Sequence, residues 1–178
     1  MKTISSHPQN NSFTLTVKSL TKRIEFFILI ILISLTSSLN AQNNITLKNG
    51  LYYSSSGALY SGTYNSYDQN NVKEFSIALV DGKRNGTVTY YYANGNVKET
   101  GVFINDEKAE QWLRWDEAGN KIAAAFYKEG KKDGTWMIWD ANGTKRYEMY
   151  YSMDKKVGKW SMWDEKGNLT SEKEYESI

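Results

Sequence analysis

The chain lacks several residues on which protein chemistry often depends. Its 178 residues contain no cysteine, one proline and one histidine, His7. Without cysteine there is no disulfide framework, so the fold must rest on packing and backbone pairing. Beyond His7 the chain has neither histidine nor cysteine, which removes Ser-His-Asp triads, cysteine nucleophiles and conventional zinc sites. We therefore expect no catalytic residues, no cofactor and no metal, and a protein that is not an enzyme.

The first 41 residues differ from the rest of the chain. Lys18, Lys22 and Arg23 precede an apolar run at 26–33, and small residues follow up to Ala41. This order is typical of a secretory signal peptide, here with an N-terminal extension and cleavage after Ala41. The alternative is a retained membrane anchor, although the apolar stretch is shorter than the roughly 20 residues that span a bilayer. We expect export to the periplasm, the outer envelope or the cell exterior.

Charge is also distributed unevenly between these two parts. The first 41 residues hold four of the 22 basic residues and one of the 20 acidic residues, so the remainder has a net charge of −1. Nucleic-acid-binding proteins usually carry a clustered positive patch. The charge balance therefore predicts no nucleic-acid partner.

A unit of 24 residues recurs five times without an insertion. The copies are 62–85, 86–109, 110–133, 134–157 and 158–178, and residues 42–61 form a lead-in that resembles a degenerate half-repeat. Most copies open with glycine and carry a second glycine in a turn, but Glu110 and Asn71 replace these glycines in two copies. A fixed short period predicts that each unit stacks on its neighbours to bury a shared core.

The segments between the turns are rich in Trp, Tyr, Val, Ile and Thr, a composition that favours strands. The predicted fold is all-β, with tandem hairpins in an elongated, twisted antiparallel sheet that follows an N-terminal signal helix. One turn position holds an aspartate in four copies, at Asp68, Asp116, Asp140 and Asp164. We expect these carboxylates to bond their own turn backbone, and not to serve as catalytic acids or calcium ligands.

Two aromatic columns run through the repeats. The first column is Tyr64, Val88, Trp112, Trp136 and Trp160. The second column is Tyr67, Tyr91, Trp115, Trp139 and Trp163. Because the two columns are offset by three positions, an odd number, strand alternation places them on opposite faces. We expect the first column to form the core and the second to be partly exposed, so the candidate binding surface is Tyr91, Trp115, Trp139 and Trp163.

Basic residues also recur, near the other set of turns. They are Lys83-Arg84, Lys108, Lys131-Lys132 and Lys155-Lys156. Such a series could face anionic lipid or a polyanion. Acidic neighbours such as Asp106 and Asp154 cancel much of this charge, so the pattern favours solvated turns that keep the ends of the sheet soluble.

One pattern resembles a known repeat family. Residues 134–143 follow Gly-x-Trp-x-x-Trp-Asp-x-x-Gly, and residues 127–134 follow Tyr-x-x-Gly-Lys-x-x-Gly. This pattern, which covers about residues 48–176, resembles the MORN repeat variant of bacteria. The resemblance implies interaction and scaffold modules, many of them described as antitoxin components of the YwqK family. An antitoxin usually meets its toxin in the cytoplasm, which an exported chain fits poorly.

Four functions remain open, of which an enzyme is the weakest. The leading hypothesis is a non-catalytic exported interaction or scaffold protein whose protein partner is unidentified. Trp115, Trp139 and Trp163 could instead bind a carbohydrate or another surface of the cell envelope, a membrane included. The third hypothesis is antitoxin-like neutralisation of an exported toxin.

Overall fold

The computed structural model describes residues 44–176, and the expected signal helix lies outside that range. The described residues form strands and turns without an α-helix, and none of them belongs to a helix long and apolar enough to cross a membrane. The strands are β1 (Thr46–Lys48), β2 (Leu51–Tyr53), β3 (Gly62–Tyr67), β4 (Lys73–Val80), β5 (Lys83–Tyr91), β6 (Val97–Ile104), β7 (Glu107–Trp115), β8 (Lys121–Lys128), β9 (Lys131–Trp139), β10 (Lys145–Ser152), β11 (Lys155–Trp163) and β12 (Leu169–Tyr175).

Strands β3 to β12 form one antiparallel sheet of ten strands in sequence order. The prediction of an all-β array of hairpins is therefore confirmed. Strands β1 and β2 form a separate two-stranded sheet in the lead-in. This lead-in packs on the first hairpins, because the N–H of Tyr52 donates to the carbonyl of Gly82 at 2.9 Å and the ring of Tyr52 lies 5.6 Å from that of Tyr64.

Two kinds of turn alternate along the sheet. The short turns contain two residues, both with positive φ, at Asp81-Gly82, Asn105-Asp106, Glu129-Gly130 and Met153-Asp154. This is the type I′ geometry, which suits the right-handed twist of the flanking strands. Because these turns are so short, Lys83 and Arg84 already belong to β5, and the equivalent basic residues of the later copies are also strand residues.

The long turns begin at the recurrent aspartate. In 116–120 the N–H of Asp116 donates to the carbonyl of Asn120 at 2.9 Å, and Asp116 Oδ1 accepts the N–H of Asn120 at 2.8 Å. Asp68, Asp140 and Asp164 accept the equivalent backbone N–H. The side-chain amide of Asn120, together with the turn N–H groups, holds the pKa of Asp116 below its ordinary value. The predicted turn-forming role of these aspartates is confirmed.

The residue that opens each copy from the second to the fifth, usually glycine, lies in a bulge within a strand. The register between β4 and β5 passes from Ile77↔Val88 to Leu79↔Arg84, so β5 contains two extra residues there. Gly86 lies in this bulge with φ 117°, and a Cβ on it would come 2.9 Å from that of Ala78. The same irregularity recurs in β7, β9 and β11. Since two extra residues preserve the alternation of side chains, the basic residue before each bulge shares a face with the aromatic column after it.

Candidate binding surfaces

One face of the ten-stranded sheet carries a continuous series of rings, which we call the aromatic ladder. It has one ring per strand from β6 to β12: Phe103, Trp112, Tyr127, Trp136, Tyr151, Trp160 and Tyr175. Neighbouring centroids lie 5.0–6.1 Å apart with interplanar angles of 56–82°. Tilted and edge-to-face contacts of this kind add to the stabilisation from burial alone. The ladder therefore ties each repeat to the next.

The core of the sheet lies on this ladder face. Its buried members are Ile77, Leu79, Val88, Phe103 and Trp112. The indole N–H of Trp112 has two acceptors at 3.2 Å, the carbonyls of Val102 and Ala109. The predicted core role of the first column is confirmed for Val88 and Trp112.

The later members of the first column are less deeply buried. Trp136 and Trp160 are both half-buried. Their indole N–H groups donate to the carbonyls of Phe126 and Tyr150, at 3.1 and 3.0 Å. The ladder face therefore becomes more open toward the C-terminal repeats.

Basic side chains lie over the rings of the ladder. The guanidinium of Arg84 lies 4.1 Å from the centroid of Phe103 and the ammonium of Lys108 lies 3.7 Å from that of Trp112. The ammonium of Lys132 lies 4.5 Å from the ring centroid of Trp136, and that of Lys156 lies 4.5 Å from the ring centroid of Trp160. The distances fit cation–π contacts. The expectation of solvated turns is wrong for these four residues, because the two-residue turns and the bulges place them on the ladder face.

The positive charge of the ladder face is only partly cancelled, by Asp106 beside Arg84 and by Glu99 beside Lys108. By strand pairing and alternation, its charged strand residues are Arg84, Lys108, Arg114, Lys132, Lys156, Lys173 and Glu99. The recurrent acidic residues that the sequence places beside the basic ones lie in the short turns. A balanced sequence thus folds into a sheet with one strongly basic face.

The second aromatic column occupies the opposite face, which we call the row face. Strand pairing places Trp136 and Ile138 on the ladder face and Trp139 on the row face, as predicted. The structure aligns Tyr91, Trp115, Trp139 and Trp163 near the long turns, all four half-buried. Tyr67, the first member of the column, is 47% exposed. Two strand spacings, about 10 Å, separate successive members.

Lysines also contact the row face. The ammonium of Lys121 lies 4.5 Å from the centroid of Trp139, and that of Lys145 lies 4.1 Å from Trp163. Trp115 differs, because Val97 occupies the position that Lys121 holds one repeat later. A hollow of about 460 Å³ opens there, lined by Thr89, Val97, Thr100, Trp115 and Ala118 among others. Val97, Trp115 and Ala118 give this hollow an apolar lining.

Sequence reasoning missed a second exposed apolar group. Ile138, Tyr147 and Met162 lie side by side across β9, β10 and β11, and they are 37%, 37% and 42% exposed. Ile138 and Met162 each follow a ladder tryptophan by two residues, so alternation could have placed them on the ladder face. Tyr147 could not be placed, because the register of β9 with β10 shifts between Lys145 and Tyr147.

The described residues contain no group of three or more His, Cys, Asp or Glu side chains close enough to hold a metal ion. The only unsatisfied buried side-chain atom found within 44–176 is Asn65 Oδ1. Chemistry on this part of the molecule is therefore provided by rings, cations and turn carboxylates.

Three segments of the chain match the family model described as MORN repeat variant: residues 84–105, 132–153 and 156–177. Their starting points differ by multiples of 24, so the matches keep the phase of the repeat. The copies outside the matches contain Asn71 and Glu110, the two departures from the glycine pattern. MORN repeats generally mediate binding to proteins or membranes. No curated protein matches the chain.

Proposed function

We propose that this array of MORN-type repeats is a non-catalytic binding protein that docks a protein partner on its row face. The observation that carries the proposal is the alignment of Tyr91, Trp115, Trp139 and Trp163, one ring per repeat, on a face that leaves apolar side chains in solvent. Half-buried aromatic residues are typical anchors of protein interfaces, because they supply large contact area at low entropic cost.

The surroundings of the rings favour a protein over a glycan. Sugars stack on open ring faces, whereas the ammonium groups of Lys121 and Lys145 lie over Trp139 and Trp163. Trp115 instead borders an apolar hollow large enough to accept a side chain. The partner we expect inserts an apolar side chain beside Trp115 and offers carboxylates to the lysines.

Site-specific photo-crosslinking tests this proposal in the cell that makes the chain. The crosslinking residue p-benzoylphenylalanine replaces Trp139 on the row face in one variant and Tyr147 on the ladder face in the other. Both positions are aromatic, and strands β9 and β10 pair directly. We expect one discrete protein adduct from position 139 and none of that mass from position 147. Equal adducts from both faces, or no adduct from 139, 115 or 163, would contradict the proposal.

We further propose that the chain acts outside the cytoplasm. Support comes from the basic region, apolar run and small residues that end at Ala41. Mass spectrometry of the protein recovered from its native cell identifies the mature N-terminus. The expected mature N-terminus is Gln42, and replacing Ile30 and Ile31 with lysine should leave the chain unprocessed and inside. A mature protein that still contains Met1 would contradict cleavage.

A further inference from the structure

The ladder face presents cations at a regular spacing. Lys108, Lys132 and Lys156 are the second residues of equivalent strands in successive repeats. Each ammonium lies over a tryptophan, at 3.7, 4.5 and 4.5 Å from the ring centroid. Since each repeat contributes two strands, successive lysines lie about 10 Å apart across the sheet. The series therefore forms a regular row of positive charges above the rings of the ladder.

These cations differ in how far the protein already neutralises them. Arg84 pairs with Asp106 at 2.9 Å, and Lys108 lies 3.7 Å from a carboxylate oxygen of Glu99. Among residues 44–176, Lys132 and Lys156 have no ion-pair partner within 4.0 Å. Asp154, in the turn between them, uses its Oδ1 to accept the backbone N–H of Lys132. Within the row Lys108, Lys132 and Lys156, the unneutralised charge thus lies on strands β9 and β11.

We propose that the ladder face binds a linear acidic polysaccharide that carries one negative charge on every second sugar. The chain crosses strands β7 to β11, and its anionic groups contact Lys108, Lys132 and Lys156 in turn. Two sugars of an extended β-linked chain advance by about two strand spacings, so the charges of the polymer and of the sheet coincide. Phosphates of a nucleic acid strand follow one another too closely to match this spacing.

Apolar contacts are available beside the charged row. Ile138, Tyr147 and Met162 lie on the same face, and each leaves more than a third of its surface in solvent. The apolar faces of sugar rings can rest on such side chains while the charged substituents reach the lysines. This surface is separate from the tryptophan row on the opposite face, so the two proposals stand or fall independently.

Isothermal titration of the full chain with hyaluronan oligosaccharides is the test. Hyaluronan carries one carboxylate per disaccharide, and chitin oligosaccharides of equal length serve as the neutral comparison. We expect affinity to increase with each added disaccharide up to three, and to fall as salt is raised. Chitin oligosaccharides should bind at least tenfold more weakly.

Paired variants assign the binding to the ladder face. Lys132→Gln/Lys156→Gln removes the two lysines of the row that have no ion-pair partner, whereas Lys131→Gln/Lys155→Gln removes their sequence neighbours, which point to the other face. We expect the first pair to lose about two- to fivefold in affinity per lysine, as for exposed ion pairs. The Lys131→Gln/Lys155→Gln variant should bind the oligosaccharides with the same affinity as the original chain. Circular dichroism of all variants checks that the sheet is intact.

Several results would overturn the proposal. One is an equal loss of affinity in both paired variants. Another is hyaluronan binding no tighter than chitin binding. A third is binding that is confined to phosphatidylglycerol vesicles or to single-stranded DNA, because the row of lysines would then recognise a different class of anion.

Discussion

The indole of Trp112 lies against the backbone of Gly101 on the adjacent strand. A Cβ built on Gly101 would fall 2.2 Å from Cδ2 of Trp112. Gly101 pairs across the strands with Val88, which is completely buried, and Trp112 is 3% exposed. The glycine is needed here for space, and its φ is not among the positive values of the chain. The packing of Trp112 at the centre of the ladder therefore requires glycine at position 101.

Gly101→Ala should destabilise the protein. The added methyl group forces the indole of Trp112 out of its position, and overpacking of this kind costs about 1–3 kcal/mol. Chemical denaturation measures the free energy of unfolding. In a Trp112→Leu background the same substitution should cost much less, because the smaller side chain leaves room for the methyl group. If Gly101→Ala costs the same free energy of unfolding in both backgrounds, the clash with Trp112 is not the cause of the destabilisation.

Glu110→Gly should stabilise the protein. Glu110 occupies the bulge of β7 with φ 57°, where glycine stands in the other four copies. A non-glycine residue in this left-handed region costs about 1 kcal/mol, which glycine avoids. Glu107→Gly, three residues earlier in the same strand, removes the same charge but should destabilise by about 0.5–1 kcal/mol. Thermal unfolding measures the stability of both variants. If both substitutions raise the Tm, or both lower it, the strain argument is contradicted.

The protein should lose stability in alkali, partly through Tyr127. Burial raises the pKa of Tyr127 above its ordinary value of 10.0, with smaller contributions from Glu99 and Asp154. Its contribution to stability is therefore complete below pH 10 and is lost as the pH rises through the higher folded pKa. Tyr127→Phe should flatten the decline in unfolding free energy above pH 10. An unchanged decline in the Tyr127→Phe variant would contradict this assignment.

Asp116→Ala should weaken the turn between β7 and β8. The carboxylate accepts the backbone N–H of Asn120 and the side-chain amide of the same residue. Loss of these hydrogen bonds should lower the urea midpoint of unfolding. Asp116→Asn should retain most of the stability, because its carbonyl oxygen can still accept. Urea titration checks that Asp116→Ala is less stable than Asp116→Asn. Equal losses would mean that charge, and not acceptance by the oxygen, stabilises the turn.

The repeat itself made most of the fold predictable. A 24-residue period fixed the hairpins, and the odd spacing between Trp136 and Trp139 placed the two columns on opposite faces. The position of Lys132 was missed because the bulge around Gly134 and the two-residue turn at 129–130 depend on backbone φ values that the sequence only suggests. Gly101 was missed because its neighbour in space, Trp112, lies on another strand. Local patterns predicted the strands, but contacts between strands decided which side chains cover the rings.

The nearest-neighbour order of the sheet has a consequence for how such a chain can evolve. Each strand from β4 to β11 bonds only to the strand before it and the strand after it. At one edge the second residue of a short turn donates its N–H to a carbonyl 22 residues earlier, as Asp106 does to Arg84 and Asp154 to Lys132. Duplication of any 24 residues in the gene would recreate every one of these contacts at the new junction. Duplication of residues 134–157 would thus add one more ladder lysine and one more pair of tryptophans without changes elsewhere.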